Sequence, residues 1–420
     1  MRITCFVPLC CSVVLMAQES SGKKAEPVPE TKAAKPAPRK LTPPVADVGQ
    51  LDLEAATKSA VQALLALQEG EGQDQWPYRG VYTEDSNPSP VGYRVGGTSI
   101  ACLGLLAAPG YGTDKERQQA LQRGLAFVLK TLDAPRMSEE FIGGYDVRGW
   151  GHIYALQFLL ALQDSRRVPG EHAAAVVEKT TWLVATLVDS AIPETGGWNY
   201  SRRSGYLDPK NKASTFMTAP ALQALFHAKA RGHVVPDGVV NNALAALERA
   251  RAKPGGYSYG APATSMGEVE EEKLGMMDKT PSSAARASAC ETTLMLAGRG
   301  DPARLERAVD LFFTHWDELA VRKSQLGTHV PKYGIAPYYF LYGHVYAAQA
   351  IEQIADPVKR GTLREKLRAV LAKCREEDGS WNDRQFDCSA GYGTALALLA
   401  LHMPHLPKPL AWQPGAAAKK

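Results

Sequence analysis

Tyr342-Gly343-His344-Val345-Tyr346-Ala347-Ala348-Gln349 has an earlier echo in the same chain, Trp150-Gly151-His152-Ile153-Tyr154-Ala155-Leu156-Gln157. In both, an aromatic-Gly-His enters an apolar run, and a Tyr and a Gln follow at matched offsets. A match of that length within one chain marks a duplicated unit, so the repeat is read before any motif. Outward from these copies, amphipathic segments at 51–68, 115–132, 171–187, 239–252, 303–319 and 358–376 alternate with apolar, small-residue segments at 99–107, 151–162, 219–230, 284–297, 343–354 and 393–401. In the first amphipathic segment Val61, Leu64, Leu65 and Leu67 form the stripe, with Glu54 and Lys58 among the polar positions. That is a half-buried helix face. The second kind is apolar nearly all round and belongs inside. Gly/aromatic signals precede the inner segments: Trp76-Pro77-Tyr78, Gly143-Gly144-Tyr145, Gly196-Gly197-Trp198, Gly255-Gly256-Tyr257, Tyr333-Gly334 and Asp378-Gly379-Ser380-Trp381. Gly supplies the tight reversal and the aromatic wedges between hairpins. With strand signals almost absent, the reading is all-α: a closed (α/α)6 toroid of six helical hairpins over 47–406. Residues 407–420 are expected to be a flexible tail.

The flanks and the charge bound the class. Residues 1–17 carry Arg2, an apolar centre and a small Ala17 before polar Gln18. This reads as a secretory signal peptide and predicts export to the periplasm, envelope or exterior; an uncleaved anchor is the alternative. Residues 18–46 are rich in Pro, Ala and Lys, with six basic residues against three acidic ones. Such a stretch buries too little apolar area to offset its ordering entropy and is expected to be a disordered linker. Much of the formal charge of +4 is therefore linker charge. The folded part lacks the basic surplus of a nucleic-acid binder. After residue 17 the cysteines Cys102, Cys290, Cys374 and Cys388 form no CxxC pair, and no later segment is long and apolar enough to span a bilayer.

Two stretches carry a resemblance. Gln68 to Trp76 (Gln-Glu-Gly-Glu-Gly-Gln-Asp-Gln-Trp) and Asp378-Gly379-Ser380-Trp381 followed by Tyr392-Gly393-Thr394 resemble repeat elements of the terpenoid cyclase / protein prenyltransferase superfamily, specifically its prenyltransferase and squalene-oxidase repeat proteins. The chain also looks like secreted bacterial members of that group without an assigned reaction. The resemblance implies the toroid fold over roughly 51–405 and an apolar or isoprenoid-like ligand. The chain departs from the family's chemistry. It has no Asp-x-Asp-Asp, no DDxxD and no Gly-Cys-Gly-Glu-Gln, and Asp387-Cys388 are adjacent where a prenyltransferase zinc site needs them two apart. No metal and no cofactor are expected.

His152 and His344 open inner segments and are candidate acid and base if they meet in one central cavity. The alternative is that each ties its helix to a neighbouring turn as part of the repeat. Asp387, with Asp383, is the acid nearest the predicted mouth. Trp150, Tyr154, Tyr342, Tyr346 and Tyr392, with Tyr338 and Tyr339, are candidate cavity-wall aromatics. Arg94, Arg148 and Arg286 are candidate anion ligands, or partners of Asp85, Asp146 and Glu291. Ser214-Thr215 and Ser282-Ser283 read as N-caps. The insertion 261–281, with Glu268, Glu270, Glu271 and Glu272, is a lid over one mouth or an exposed loop. Three functions follow. The leading one is an exported toroid binding a ligand or protein partner in or over its cavity. The others are a cyclase-like enzyme on an isoprenoid, and a polysaccharide-active (α/α)6 enzyme, which requires acids placed across the cavity.

Overall fold

The computed structural model describes residues 50–78, 89–141, 146–200, 205, 207–264, 267–321, 334, 339–383 and 389–415. The signal and linker segments, Asp387 and Tyr338 lie outside them. In chain order the helices are α1 (Leu53–Ala66), α2 (Val91–Ala107), α3 (Lys115–Leu132), α4 (Arg148–Asp164), α5 (Ala173–Asp189), α6 (Thr215–Ala230), α7 (Asp237–Arg249), α8 (Thr280–Leu296), α9 (Pro302–Thr314), the short α10 (Trp316–Ala320), α11 (Tyr339–Ile351), α12 (Pro357–Lys373) and α13 (Ala390–His402). Among the described residues the strands are one two-residue pair, Arg251–Ala252 with Gly256–Tyr257.

The inner ring runs α2, α4, α6, α8, α11 and α13, and closes where α13 packs on α2. Each of the first five inner helices packs on the outer helix that follows it, and α1 takes the sixth outer place beside α13. The first and last helices thus form one pair, joined by Thr57 Oγ1 and His402 Nε2 at 2.8 Å. Inner helices are buried all round: every residue of α8 from Thr280 to Leu294 is buried. Small residues let the inner backbones approach. A Cβ on Gly104 of α2 would sit 2.7 Å from the Cα of Ala395 on α13. Among the described residues no helix is long and apolar enough to cross a membrane.

Local chemistry differs between the rings. Outer helices α1, α3, α9 and α12 are capped by Asp52, Asp114, Asp301 and Asp356, each accepting a first-turn backbone N–H. A cap of this kind contributes about 1 kcal/mol. The inner helices use tertiary bonds instead. Ser214 makes no side-chain cap at α6, where Thr215 N–H donates to Tyr259 O at 2.9 Å, and Ser282 and Ser283 lie inside α8. The expected serine caps are therefore corrected: a buried helix start finds backbone acceptors in the packed turn beside it.

The Gly/aromatic turns are the joints between the rings. The indole N–H groups of Trp76, Trp198 and Trp381 donate to the carbonyls of Leu64, Leu187 and Leu371 near the ends of α1, α5 and α12, at 2.7, 2.7 and 2.9 Å. The backbone N–H groups of the same three tryptophans donate to Thr98, Thr218 and Thr394 of the next inner helix, at 2.9, 3.1 and 3.0 Å. One residue thus gives a last-turn carbonyl of the outer helix, otherwise held only by bonds of 3.2–3.4 Å, a short donor, and fixes the inner helix against it.

The stretch 407–415, expected to be a free tail, is pinned across the face where the inner helices end. Trp412 N–H donates to Leu296 O at 2.9 Å, and its ring packs on Phe226 and under Lys229. Gly415 N–H reaches the Asp237 carboxylate at 3.0 Å.

Candidate functional site

An α-helix turns about 100° per residue, so positions 0, +4 and +7 share a face while +2 points roughly opposite. In the echoed motif, position 0 is Trp150 or Tyr342, +4 is Tyr154 or Tyr346, and +7 is Gln157 or Gln349. On α6 the same places hold Phe216, Pro220 and Gln223. These residues face the ring axis in layers. Trp150 contacts Tyr154 and Tyr392 at ring-centroid distances of 5.0 and 6.0 Å. Tyr342 contacts Phe216 and Tyr346 at 4.5 and 4.4 Å. One layer down, Tyr346 is hydrogen-bonded to the side chains of Gln157 and Tyr154. Below that, Gln223 and Gln349 exchange two amide bonds of 2.9 Å, and Gln223 also donates to Thr293 Oγ1. Burial first, then neighbouring phenols, pushes the Tyr154, Tyr342 and Tyr392 hydroxyls well above their ordinary range. They are permanent hydrogen-bonding groups, not bases. Rings this close leave no room between them for an isoprenoid chain.

The two histidines sit at +2 and turn away from the axis. His152, buried, approaches Met137 O through Nε2 at 3.1 Å and meets the edge of Trp182 on α5. Burial, then the charge of Arg148, lowers its pKa to about 3, against the pull of the Met137 carbonyl. His344, fully buried, accepts the indole N–H of Trp316 on Nε2 at 2.9 Å. Its Nδ1 therefore carries the proton and donates to Phe340 O at 2.8 Å. Thr98, Thr218 and Thr394 tie the other turns from the outward face as well, and the last two stand at +2 from Phe216 and Tyr392. The structure does not bring the two histidines into a shared cavity. They are the imidazole versions of that tie.

The three arginines are also spent on structure. Arg94 points outward, donating to Gln75 Oε1 at 2.7 Å and lying over Phe127 of α3. Arg148 binds Ser138 O, Phe141 O and Asp146, holding the turn before α4. Arg286 is fully buried. It donates to Tyr257 O and Met277 O at 2.9 and 3.2 Å, pairs with Asp278 at 3.5 Å, and lies over Tyr339 and Tyr259. It anchors both ends of the insertion to α8. The insertion is further held by Lys253 N–H to Val269 O and Glu271 to Thr280 N–H, both 2.9 Å. Glu291, paired in anticipation with Arg286, instead accepts from Tyr257, Arg304 and Arg251 on its outward side.

The remaining candidate chemistry lies at the mouth, where the inner helices begin. Its floor is a ring cluster of Tyr78, Tyr93, Trp150 and Tyr392, with centroids 4.8–6.0 Å apart. Asp383 is fully buried there, and its charge acts on the Tyr392 phenol. Ser389 Oγ and Asn382 Oδ1 are 2.5 Å apart in the same turn. Among the described residues no group of three or more His, Cys, Asp and Glu is placed to hold a metal ion. Sequence reasoning missed Tyr78 and Tyr93 in the floor, Phe216 on the axis, and the amides Gln157, Gln223 and Gln349. For Phe216 and the amides the signal was present in the 0, +4, +7 spacing of the echoed motif; Tyr78 and Tyr93 lie outside that spacing.

No family model and no curated protein matches the chain. Among solved structures, an unsaturated glucuronyl hydrolase from Streptococcus agalactiae aligns with a TM-score of 0.53 at 12% identity, over 88% of this chain and 98% of that chain. A mutant of that enzyme aligns with a TM-score of 0.51 at 11% identity, over 88% and 98%. The chain is an (α/α)6 toroid. At this identity the likeness shows the fold and leaves the reaction open. The expected kinship with terpenoid cyclases and prenyltransferases is met at the level of the toroid only, since these neighbours are glycan-acting enzymes.

Proposed function

We propose that this toroid is a carbohydrate-active protein that takes a uronate-bearing oligosaccharide at the mouth, with Asp383 as the acid or base. The observation that carries it is a fully buried carboxylate set into a floor of aromatic rings. Burying a carboxylate costs several kcal/mol, so a fold keeps one where it is paired or used. Aromatic floors suit sugar rings, which present apolar faces between their hydroxyls. The substrate class is taken from the glucuronyl hydrolases that share the fold; the floor and the acid are this chain's own support. The filled axis argues for work over the mouth and against an apolar substrate inside the barrel. It also favours a second reading, an exported binder that holds the same glycan without turning it over.

The test is turnover of saturated and unsaturated uronate oligosaccharides by the wild type and by Asp383→Asn. A loss of about 100-fold or more in kcat, at unchanged thermal stability and retained binding, supports the enzyme reading. Binding without turnover in the wild type selects the binder. A chain that neither binds nor cleaves any uronate oligosaccharide overturns both.

A further inference from the structure

Of the hairpins that make the ring, one is assembled from helices that do not follow each other in the chain. Each of the first five inner helices is followed by its outer partner, whereas α13, the last helix described, meets α1, the first. Local opening occurs where the fewest constraints hold an element, and no connecting loop holds this pair. His402, the last residue of α13, is buried in that seam, and its protonation can be assigned. The Thr57 hydroxyl gives its one proton to Leu53 O at 2.6 Å, so His402 Nε2 is the donor in the 2.8 Å bond to Thr57. His402 Nδ1 then carries only its lone pair, and it is packed in the seam without a hydrogen-bond partner. A bare nitrogen is tolerated there. A protonated one is not, because a buried charged donor without an acceptor costs far more than an unmet neutral acceptor.

The neighbouring charges do not relieve it. Beside the seam, α1 brings Glu54 and Lys58, and α3 brings Asp114, Glu116 and Arg117. Asp114 is already the cap of α3 and the partner of Arg117. Just past the end of α11, Glu352 is held by Arg364 of α12, and the one charged residue of α2, Arg94, lies in its first turn. The charges that act on His402 are both positive, His405 after α13 and Arg368 on α12. We propose that the α1–α13 seam is an acid-operated latch: protonation expels the His402 ring, breaks its bond to Thr57 and frees the N-terminal end of α1. The other end of α1 stays tied, because Trp76 donates to Leu64 O. What lifts is a flap of the outer wall, which uncovers the buried Ala56 and Ala60 and leaves the inner ring closed. Burial first, then His405 and Arg368, lowers the His402 pKa from 6.5 to about 4. In the lifted flap the ring regains its ordinary value, so the open form takes up the proton first as pH falls. The latch is shut above about 6.5 and loosens from there towards about 4.

Backbone hydrogen exchange of the full chain, corrected for the intrinsic rate at each pH, tests this. Opening of residues 53–61 is expected to rise about twentyfold from pH 7 to pH 5. The α8–α9 pair, which carries no histidine, should remain the slower to exchange at both. His402→Gln keeps an amide donor towards Thr57 and does not titrate, so in that variant the rise should shrink to whatever α8 and α9 also show. Exchange of 53–61 in step with α8 and α9 at both pH values overturns the proposal, and that result is read on the wild type alone. A rise of the same size in His402→Gln overturns it too, since another group then carries the effect. Neither outcome depends on glycan binding at the mouth.

Discussion

A single helical step decides what the histidines do. His152 and Tyr154 are two residues apart, and that spacing sends one to the outer ring and the other to the axis. Because His344 accepts the Trp316 indole proton, an imidazolium there would lose that bond. His344→Leu is therefore expected to cost roughly 2–4 kcal/mol, from the stranded indole N–H and the lost packing, measured as a shift in urea midpoint. Glycan binding at the mouth should be unchanged in any fraction that remains folded. His152 makes a pH prediction. Its ordinary pKa is 6.5 and the folded value is about 3, so the unfolded chain takes up a proton first as pH falls. Its contribution to stability is complete above about 6.5 and is lost as pH falls from there towards about 3. Between pH 7.5 and 5.0 the loss is about 2 kcal/mol. His402, lowered to about 4 by burial first and then by His405 and Arg368, acts in the same direction. In urea titrations at the two pH values, His152→Asn should flatten the slope. A slope equal to that of the wild type would contradict the neutral buried imidazole.

At the scale of elements, each tryptophan turn joins two helices through one indole and one backbone N–H. Trp198→Phe keeps most of the ring but removes the 2.7 Å bond to the Leu187 carbonyl, leaving it the longer 3.3 Å bond from Ser190 Oγ, and should cost about 1 kcal/mol. Trp198→Ala adds a cavity and should cost about 3–5 kcal/mol. Both are read from denaturant midpoints, and the difference between them separates the bond from the packing. The resemblance to repeat proteins was carried by two such turns, those of Trp76 and Trp381. This explains why it foretold the architecture and not the reaction: those residues hold rings together. The outer helices were plain in the sequence because their stripe and their Asp caps are local. The inner helix starts were misread as serine-capped because their partners come from distant turns.

For the whole molecule, closure is the governing fact. The first and last helices, α1 and α13, pack together, and the 407–415 strap crosses the far face. Removing residues after Leu406 should uncover the Phe226 face and lower stability by about 2 kcal/mol, seen as a drop in Tm with the helical circular dichroism kept.

Periodicity, turn chemistry and the echoed motif settled the all-α class and the alternation of rings. These are short-range properties, set by side-chain spacing of 3.6 residues and by Gly and Trp in the turns. Only the tertiary structure decided that the axis is filled, that the histidines and arginines serve the joints, and that Asp383 lies in the floor. Those outcomes depend on the register of six helices around a closed ring. That register is set by packing between residues far apart in the chain.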